Sequence, residues 1–464
     1  MAKSAGRDLT NGSPMKLICG FLLPLLLGML FQQFYNMVDT VVVGRFLGVN
    51  ALAGVGSTGS INFLVIGFCM GVCNGFVIPV AQKYGQRDFD ALRRYVANIL
   101  WVSVACAAVM TLLTTLLCRN ILIWMNTDDA FFYEAYNYIF VIFLGIPVVF
   151  LYNILSGIIR SLGDSRSPVY FLILSSLLNI VLDLISVTVL KLGVRGPGIA
   201  TVIAQGVSGL LCLFYVARRF DLVRPRRGEW RPDAGYIRRL CSMGLPMGLQ
   251  YSVTAIGSIV LQSAVNLLGT VYVASFAAVT KVNQLFFCPF DAMGGTMATY
   301  AGQNVGAGKL DRIGRGIRAC SVLGIGYAVV GCGILWLWGG EFAHLFLDNA
   351  DPSQTQAIVE NAQQFLSLSS LFYIPLAFVN IVRFTIQGLG FSGMAVFAGA
   401  FEMVARCIFG FVLVPAFGYL AVCFASPAAW IAADVFLFPA YFHVMKVLRA
   451  RAAHTPASMP AHAP

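Results

Sequence analysis

The sequence predicts an all-α polytopic membrane protein, with twelve transmembrane helices in two homologous six-helix bundles around a central cavity. Its composition excludes a soluble globule, because 58% of the 464 residues are hydrophobic and 11% are charged, whereas soluble domains carry about 25% charged residues. The mean hydropathy is +0.80. Twelve apolar stretches of about 20 residues follow one another from Leu17 to the neighbourhood of Met445, and each can cross about 30 Å of hydrocarbon as a helix.

The chain is predicted to have four parts. Residues 1–217 form an N-terminal six-helix lobe, residues 218–239 a basic cytoplasmic linker, residues 240–447 a C-terminal six-helix lobe, and residues 448–464 a cytoplasmic tail. No cleavable signal is expected, since residues 2–16 are polar and the first apolar run lacks a cleavage-like end. That first run is therefore expected to stay in the protein as a membrane helix.

An internal repeat divides the apolar stretches into two sets of six. Four residues of the first half recur in the second half at a shift of 221 positions, and Gly163 recurs as Gly390 at a shift of 227. The four pairs are Asn62 with Asn283, Gln82 with Gln303, Gly85 with Gly306, and Arg94 with Arg315. Because each half has an even number of helices, the halves share one orientation and face each other across the cavity as parallel repeats.

The net charge of +11 is explained by membrane topology, without a nucleic-acid partner. Assigning the loops to alternate sides places 24 basic residues, Arg160 among them, on the side of both termini and 4 on the other. Lys281, Arg383 and Arg406 remain in or at the ends of helices. The bias follows the positive-inside rule, so the sequence predicts a multi-pass protein of the inner (cytoplasmic) membrane, with both termini cytoplasmic and the basic excess against anionic lipids.

Two acids inside apolar segments are the leading functional residues. Asp39 lies in the first segment, where Val41 continues the apolar run beyond it, and Asp183 lies in the fifth. Acids in such positions usually face a protein interior or a wet cavity and take part in ion or proton handling. The repeat gives neither of them an acidic counterpart, so the pair belongs to the first half only.

Two polar side chains are expected beside these acids. Asn179 precedes Asp183 by one helical turn and shares its helix face, and Thr201 lies a few residues into the sixth segment. Counting about 1.5 Å per residue puts Asp39 and Asp183 at a similar depth. Carboxylate, amide and hydroxyl oxygens can bind a proton or a hard cation such as Na⁺. The alternative is a buried polar network that only holds the helices together.

Five further charges lie inside apolar segments of the second half, as candidate cavity or structural residues. Glu402 and Arg406, four apart in the eleventh segment, are placed for an intrahelical ion pair, for which structural support is the favoured role. Lys281 and Asp291 lie ten residues apart in the eighth segment and therefore on different faces. Asp434 stands alone in the twelfth segment. Each of these last three is a candidate cavity residue.

Five short motifs, together with Asn179 and Asp183, carry a family resemblance. They are residues 31–40 (FQQFYNMVDT), 43–48 (VGRFLG), 81–85 (AQKYG), 160–164 (RSLGD) and 302–308 (GQNVGAG). Through them the sequence resembles the multidrug and toxic compound extrusion (MATE) family over nearly its whole length. Each motif alone is weak, and together they are specific.

The resemblance implies a V-shaped cavity between the two lobes and export of amphipathic, often cationic organic compounds, driven by inward movement of H⁺ or Na⁺. It also implies that Asp39, Asn179, Asp183 and Thr201 bind the coupling cation. Asn153, in the fourth segment, matches a further polar position of the family. The expected partners are therefore small organic substrates, H⁺ or Na⁺ and membrane lipids.

One departure from the family pattern concerns the second lobe. Some members bind a cation there through acids in the seventh and tenth segments. Here the seventh segment carries Gln250 and Gln262 and no acid, and the tenth offers Glu360 only at its outer start. We therefore expect cation coupling in the first lobe.

The sequence predicts neither an enzyme nor a cofactor or resident metal. Residues 302–309 miss the spacing of a phosphate-binding loop, and Leu310 stands where Ser or Thr should bind Mg²⁺. The four histidines lack the clustering of a zinc site, and the twelve cysteines are scattered like small buried hydrophobes. Transport must then draw on an ion gradient.

Two other functions stay open. A flippase for lipid-linked precursors, from the same superfamily, would favour a strongly basic cavity, and the sparse mixed charges argue against it. A membrane scaffold that transports nothing would not need paired acids in one half only.

Overall fold

The structure, a computed structural model, describes residues 6–125, 127–346 and 352–454. These ranges are nearly all helical and contain no β-strand. Within them, ten helices are long and apolar enough to cross a membrane, and two bent pairs of shorter helices bring the number to as many as twelve. The predicted all-α membrane fold is confirmed. In hydrocarbon the helix is favoured because it satisfies every backbone N–H and C=O within the segment.

We number the spans α1 to α12 in chain order. The spans of the first half are α1 Pro14–Leu47, α2 Asn50–Gln86, α3 Phe89–Trp124, α4 Phe132–Leu144 with Ile146–Ser161, α5 Arg166–Val189, and α6 Arg195–Arg219. Those of the second half are α7 Ala234–Asn266, α8 Thr270–Gly306, α9 Leu310–His344, α10 Gln354–Ser370 with Tyr373–Gly388, α11 Ser392–Phe417, and α12 Tyr419–Ala453. Two short 3₁₀ turns, Asp221–Val223 and Arg227–Trp230, lie in the linker between the halves.

The two bent spans, α4 and α10, occupy equivalent places in the repeat. The bend is 46° in α4 and 55° in α10. Pro147 lies in the first turn after the bend of α4, and Pro375 lies in the first turn after the bend of α10. Proline fits the first turn of a helix but cannot continue the preceding one, because it lacks the N–H that would bond four residues back. The equivalent prolines therefore account for the equivalent bends.

A widened turn of π-helix also recurs in both halves. It covers Ile185–Val189 in α5 and Phe409–Leu413 in α11. Asp183 lies two residues before the first, and Gly410, its counterpart in the repeat, lies in the second. Such turns occur often at functional sites, because they re-aim the neighbouring side chains.

Two hydrophobic cores hold the molecule together. One draws on residues between Val43 and Leu240, and the other draws mainly on residues between Leu261 and Met445. The second core also takes in residues at the start of the chain, including Leu17 and Phe21 of α1. The beginning of α1 therefore packs with the second half, although the rest of its sequence belongs to the first.

The halves meet at one end of the molecule, here called the basic end because the arginine-rich linker lies there. Gln82 Nε2 of α2 donates to the Gly388 carbonyl at 2.9 Å, and Gln303 Nε2 of α8 donates to the Ser161 carbonyl at 2.9 Å. Contact between α2 and α7 continues up to about Gly67. Beyond that level, Val49–Ser57 packs on α1 and α4 of its own half. The cleft between the halves therefore opens away from the basic end.

Candidate cation site and central cleft

The acids of α1 and α5 meet inside the first half. The carboxyl groups of Asp39 and Asp183 lie within hydrogen-bonding reach of each other. Asp183 is fully buried, and Asp39 is partly buried. Two residues far apart in the sequence thus form one site at a shared depth.

Asn179 and Thr201 extend this site. Asn179 is 1% exposed, and its side-chain nitrogen lies 3.5 Å from the Thr201 hydroxyl, to which it donates. In the part of the chain that the structure describes, four buried oxygens here receive no hydrogen bond: Asp39 Oδ1, both carboxylate oxygens of Asp183, and Asn179 Oδ1. Buried acceptors without donors are costly, and a proton or a cation would satisfy them.

Three residues around the acids escaped the sequence analysis. The Tyr35 hydroxyl of α1 lies within hydrogen-bonding reach of Gln205 on α6 and neighbours both acids. Tyr138 on α4 also neighbours both acids. Tyr35 could have been found, because it precedes Asp39 by one helical turn. Tyr138 and Gln205 gave no local signal, since they belong to other helices.

Asn153 lies apart from these contacts. Its side-chain nitrogen donates to the Val149 carbonyl of its own helix at 2.8 Å. Among the described residues, no contact joins Asn153 to Asp39 or Asp183. Its part in cation binding stays a prediction.

The second half holds a separate, buried cluster of charges. Glu402 pairs most closely with Arg383 of α10 and lies 3.8 Å from Arg406, one turn further along α11. Asp434 of α12 is 8% exposed and neighbours Arg383 and Glu402. The cluster ties three helices together, which suits a structural role, since removing one partner of a buried pair leaves the other uncompensated. Arg383 as the closest partner of Glu402 was not foreseen.

Gln250, one of the two glutamines named for α7, is hydrogen-bonded within the protein. It is 4% exposed and accepts a 2.5 Å hydrogen bond from Gln387 of α10. The amide pair joins α7 to α10 without charge.

Both charges of α8, Lys281 and Asp291, are exposed. Asp291 neighbours Arg383 and also Tyr251 of α7. Because Tyr251 lies against Gly67 of α2, Asp291 is placed where the two halves meet at the floor of the cleft.

Arg160 is placed at the end of a helix. The sequence analysis counted it among the basic residues on the side of both termini, and that side stays a prediction. Arg160 lies in the last turn of α4, where its guanidinium neighbours Tyr152 and Tyr251. An arginine side chain is long enough to carry its charge from a helix end into the molecule.

No group of three or more His, Cys, Asp or Glu side chains that could hold a metal ion occurs within the described ranges. The predicted acids come as a pair, supplemented by amide and hydroxyl oxygens. Two histidines, at positions 454 and 462, have side chains outside the described part of the chain.

A strap formed by residues 6–12 crosses the basic end between the halves. Leu9 is 1% exposed; its backbone nitrogen donates to Gln303 Oε1 at 2.9 Å, and its carbonyl accepts from Asn304 at 3.2 Å. Lys309 donates to the Thr10 carbonyl at 3.0 Å. Since Gln303 also bonds to Ser161, the strap and the contact between the halves share one residue.

Asp8 holds the strap in its conformation through hydrogen bonds. Its carboxylate therefore predicts how the stability of the strap depends on pH. Burial raises the pKa of Asp8, but hydrogen bonds from Thr10 and Asn11 and the charge of Arg87 outweigh it and leave the pKa below its ordinary value of 3.8. Stability from such a group is present above 3.8 and is lost as pH falls through the lowered pKa. We expect hydrogen-exchange protection of the strap, corrected for intrinsic rates, to stay constant between about pH 5 and 8 and to fall below about pH 4.

The Asp8→Asn variant should already show reduced protection at pH 7, because the amide cannot replace the charge. Asp129→Asn, an exposed acid elsewhere, is the matched control. Equal protection in wild type and Asp8→Asn would contradict the assigned role.

Two six-helix halves of one orientation, a cleft between them and paired acids buried in one half define a two-lobed membrane transporter. The sequence pattern of the MatE family matches residues 24–185 and again residues 246–412. The chain therefore belongs to the MatE family, whose members are transporters and not enzymes. Each match falls in one half.

Relatives cover most of the chain. The probable multidrug resistance protein YpnP of Bacillus subtilis is 29% identical over 383 residues, which are 81% of this chain and 82% of that protein. The probable multidrug resistance protein NorM of Thermotoga maritima is 23% identical over 363 residues, 77% of this chain and 76% of its own. A solved multidrug resistance MATE family transporter in its outward-facing conformation superposes with a TM-score of 0.89 at 22% identity, covering 96% of this chain and 99% of that one. This last likeness concerns the fold.

Proposed function

We propose that this protein is a cation-coupled antiporter that exports amphipathic, often cationic organic compounds by alternating access. The observation that carries the proposal is the set of four buried oxygens without donors on Asp39, Asp183 and Asn179. Oxygen ligands of this kind suit a proton or Na⁺. The names of the relatives, as multidrug resistance proteins, support the substrate class.

The basic end faces the cytoplasm in this proposal. Positively charged loops stay on the cytoplasmic side of a membrane, and the linker carries most of its charge as arginine. Both termini then lie in the cytoplasm of the inner membrane, and the cleft opens outward.

Binding of the cation changes the electrostatic repulsion between the two acids of the first half. Two ionised carboxylates within reach of each other repel, and neither Asp39 nor Asp183 has a basic partner within 4 Å among the described residues. A proton or Na⁺ removes that repulsion, so α1 and α5 can approach each other.

Helix α1 can carry this change to the second half. Its first turns pack in the second core through Leu17 and Phe21, whereas Asp39 lies in the first half. Pro24 lies within the part of α1 that packs in the second core, which continues to Met29, and it removes a helix hydrogen bond and makes a bend there less costly. Movement of α1 at Asp39 therefore alters the fit between the halves.

The energetics limit what one proton can do. One pH unit is worth about 1.4 kcal/mol, and 100 mV is worth about 2.3 kcal/mol per charge. Exchange of one H⁺ for a neutral compound uses both contributions, about 3.7 kcal/mol under those conditions. Exchange for a monovalent cation moves no net charge and uses only the pH difference.

The test is transport by the purified protein in proteoliposomes. We expect uptake of the fluorescent cation rhodamine 123 when a proton or a sodium gradient is imposed, and loss of uptake when nigericin or monensin dissipates that gradient. The gradient that supports uptake identifies the coupling ion. Folded protein that moves neither rhodamine 123 nor another organic cation under either gradient would refute the proposal.

A further inference from the structure

The strap of residues 6–12 contacts both halves at the basic end. On the first half its backbone lies directly against the turn between α4 and α5. A β-carbon at Gly6 would overlap the Leu162 carbonyl, and a β-carbon at Gly163 would overlap the Arg7 carbonyl. On the second half the strap is bonded to residues of α8 and to the start of α9. It therefore bridges the seam that has to part when the basic end opens.

The second half holds the strap through its backbone and one buried side chain. Three strap carbonyls accept hydrogen bonds from second-half side chains: Leu9 from Asn304 at 3.2 Å, Thr10 from Lys309 at 3.0 Å and Gly12 from Arg312 at 3.0 Å. The Leu9 side chain is 1% exposed and packs in the second core. Because burial of one leucine side chain shifts an equilibrium by more than tenfold, Leu9 is the main anchor.

Gln303 of α8 connects the docking of the strap to the contact between the halves. Its side chain is fully buried and uses both ends of the amide. Oε1 accepts from the Leu9 backbone nitrogen at 2.9 Å, and Nε2 donates to the Ser161 carbonyl of the first half at 2.9 Å. Parting of the halves breaks the bond to Ser161 and frees the amide to rotate, so its bond to the strap is no longer held in place. Departure of the strap likewise leaves the amide oxygen without its donor.

We propose that the strap is a latch on the basic end, which stabilises the closed arrangement of the two halves and has to leave one half before that end opens. The inference rests on the alternating access of the proposed function and adds the element that sets the balance between its two states. The strap precedes α1, so it can leave without breaking a transmembrane helix. Coupling of this kind is reciprocal. Releasing the strap should therefore open the basic end, and opening that end should release the strap.

The first test releases the strap and measures the opening. Leu9→Asp removes the buried anchor and places a charge at its site, so the strap should undock. Spin labels carried on unnatural amino acids at Asp90 and Arg315, exposed on α3 and α9, report the separation of the halves in lipid nanodiscs at pH 7.5, without substrate or gradient. We expect the ratio of the longer-distance to the shorter-distance population to rise about tenfold or more.

Three further variants fix the interpretation. Leu9→Met keeps an apolar side chain of similar volume and should leave the distances unchanged. Ser13→Asp adds the same carboxylate to an exposed residue whose side chain makes no capping hydrogen bond, and it should also leave them unchanged. Leu9→Ala removes the anchor without adding a charge. It should shift the distances in the same direction as Leu9→Asp, and it takes its place if the aspartate variant does not fold.

The second test opens the basic end and follows the strap. Valine at Gly85 would overlap the Gln303 carbonyl and so forces the halves apart. We expect hydrogen exchange of the strap amides to become about tenfold faster or more in Gly85→Val, whereas a segment that merely rests on the second half would keep its protection. Three results would each overturn the latch: a released strap with unchanged distances in Leu9→Asp, longer distances with unchanged strap exchange in Gly85→Val, and a strap that stays protected in Leu9→Asp.

The latch and the proposed function can fail separately, because the distances and the exchange rates require no gradient. Longer distances in Leu9→Asp, with no gradient-driven uptake of rhodamine 123 by the wild-type protein, would refute antiport alone. Driven uptake by the wild-type protein, with distances that Leu9→Asp does not change, would refute the latch alone.

Discussion

Replacing Asp183 by asparagine should reduce gradient-driven transport roughly a hundredfold, the effect expected from losing a coupling free energy of up to about 3 kcal/mol between two sites. Asp183 is fully buried and both of its oxygens lack a donor, so its charge has no structural partner to leave behind. The substitution removes the group that a cation would neutralise. It is measured as the initial rate of rhodamine 123 uptake into proteoliposomes under the driving gradient.

The two acids should act as a unit. Because Asp39 and Asp183 lie within hydrogen-bonding reach, a double variant with asparagine at both positions should transport no more slowly than either single variant. The melting temperature should not fall, since no other side chain donates to the carboxylate oxygens of Asp183 among the described residues. Asp129→Asn, which removes an exposed acid, should retain the wild-type rate. Asp183→Asn that transports normally, or multiplicative losses in the double variant, would contradict a shared cation site.

Valine at position 85 should slow transport strongly by keeping the basic end from closing. A side chain on Gly85 of α2 would overlap the carbonyl of Gln303 on α8. Opening this contact also costs the hydrogen bonds that Gln82 and Gln303 make between the halves, each worth about 0.5–1.5 kcal/mol. We expect the transport rate to fall roughly a hundredfold, because the closed arrangement loses about 2–3 kcal/mol.

The shift should be visible as a distance change. Spin labels carried on unnatural amino acids at Asp90 and Arg315, exposed residues of α3 and α9 at the basic end, should report a new population with a longer separation in Gly85→Val. Gly326→Ala adds a methyl group where nothing lies within 4 Å and should leave both the rate and the distances unchanged. Unaltered distances in Gly85→Val would mean that the halves do not part at this contact.

Much of the fold could be predicted because the membrane restricts it. Apolar stretches must become helices, and the repeat fixes which helices are equivalent. The similar depth of Asp39 and Asp183 could be counted from the sequence, and their place in one network was implied by the family resemblance. The bends at Pro147 and Pro375 and the shared packing of α1 were not predicted, because hydropathy records neither helix direction nor tertiary neighbours.

The arginines show most clearly which contacts could not be predicted from the sequence. Arg160 stands next to a loop in the sequence, and counting loop charges cannot show whether its long side chain turns outward or inward. Glu402 seemed matched to Arg406 by spacing along one helix, yet Arg383 of the neighbouring helix is closer. Partners on other helices depend on packing between them, which a single sequence does not display.

The contact at the basic end is reciprocal. Gly85 of α2 meets Gln303 of α8, and Gly306 of α8 meets Gln82 of α2, and in the repeat Gln82 corresponds to Gln303 and Gly85 to Gly306. A patch that binds its own equivalent is the kind of surface by which two identical subunits form a twofold dimer. Two separate copies of one six-helix chain could therefore close this end by the same contact. The acid pair, which one half alone possesses, is where the molecule departs from this twofold relation.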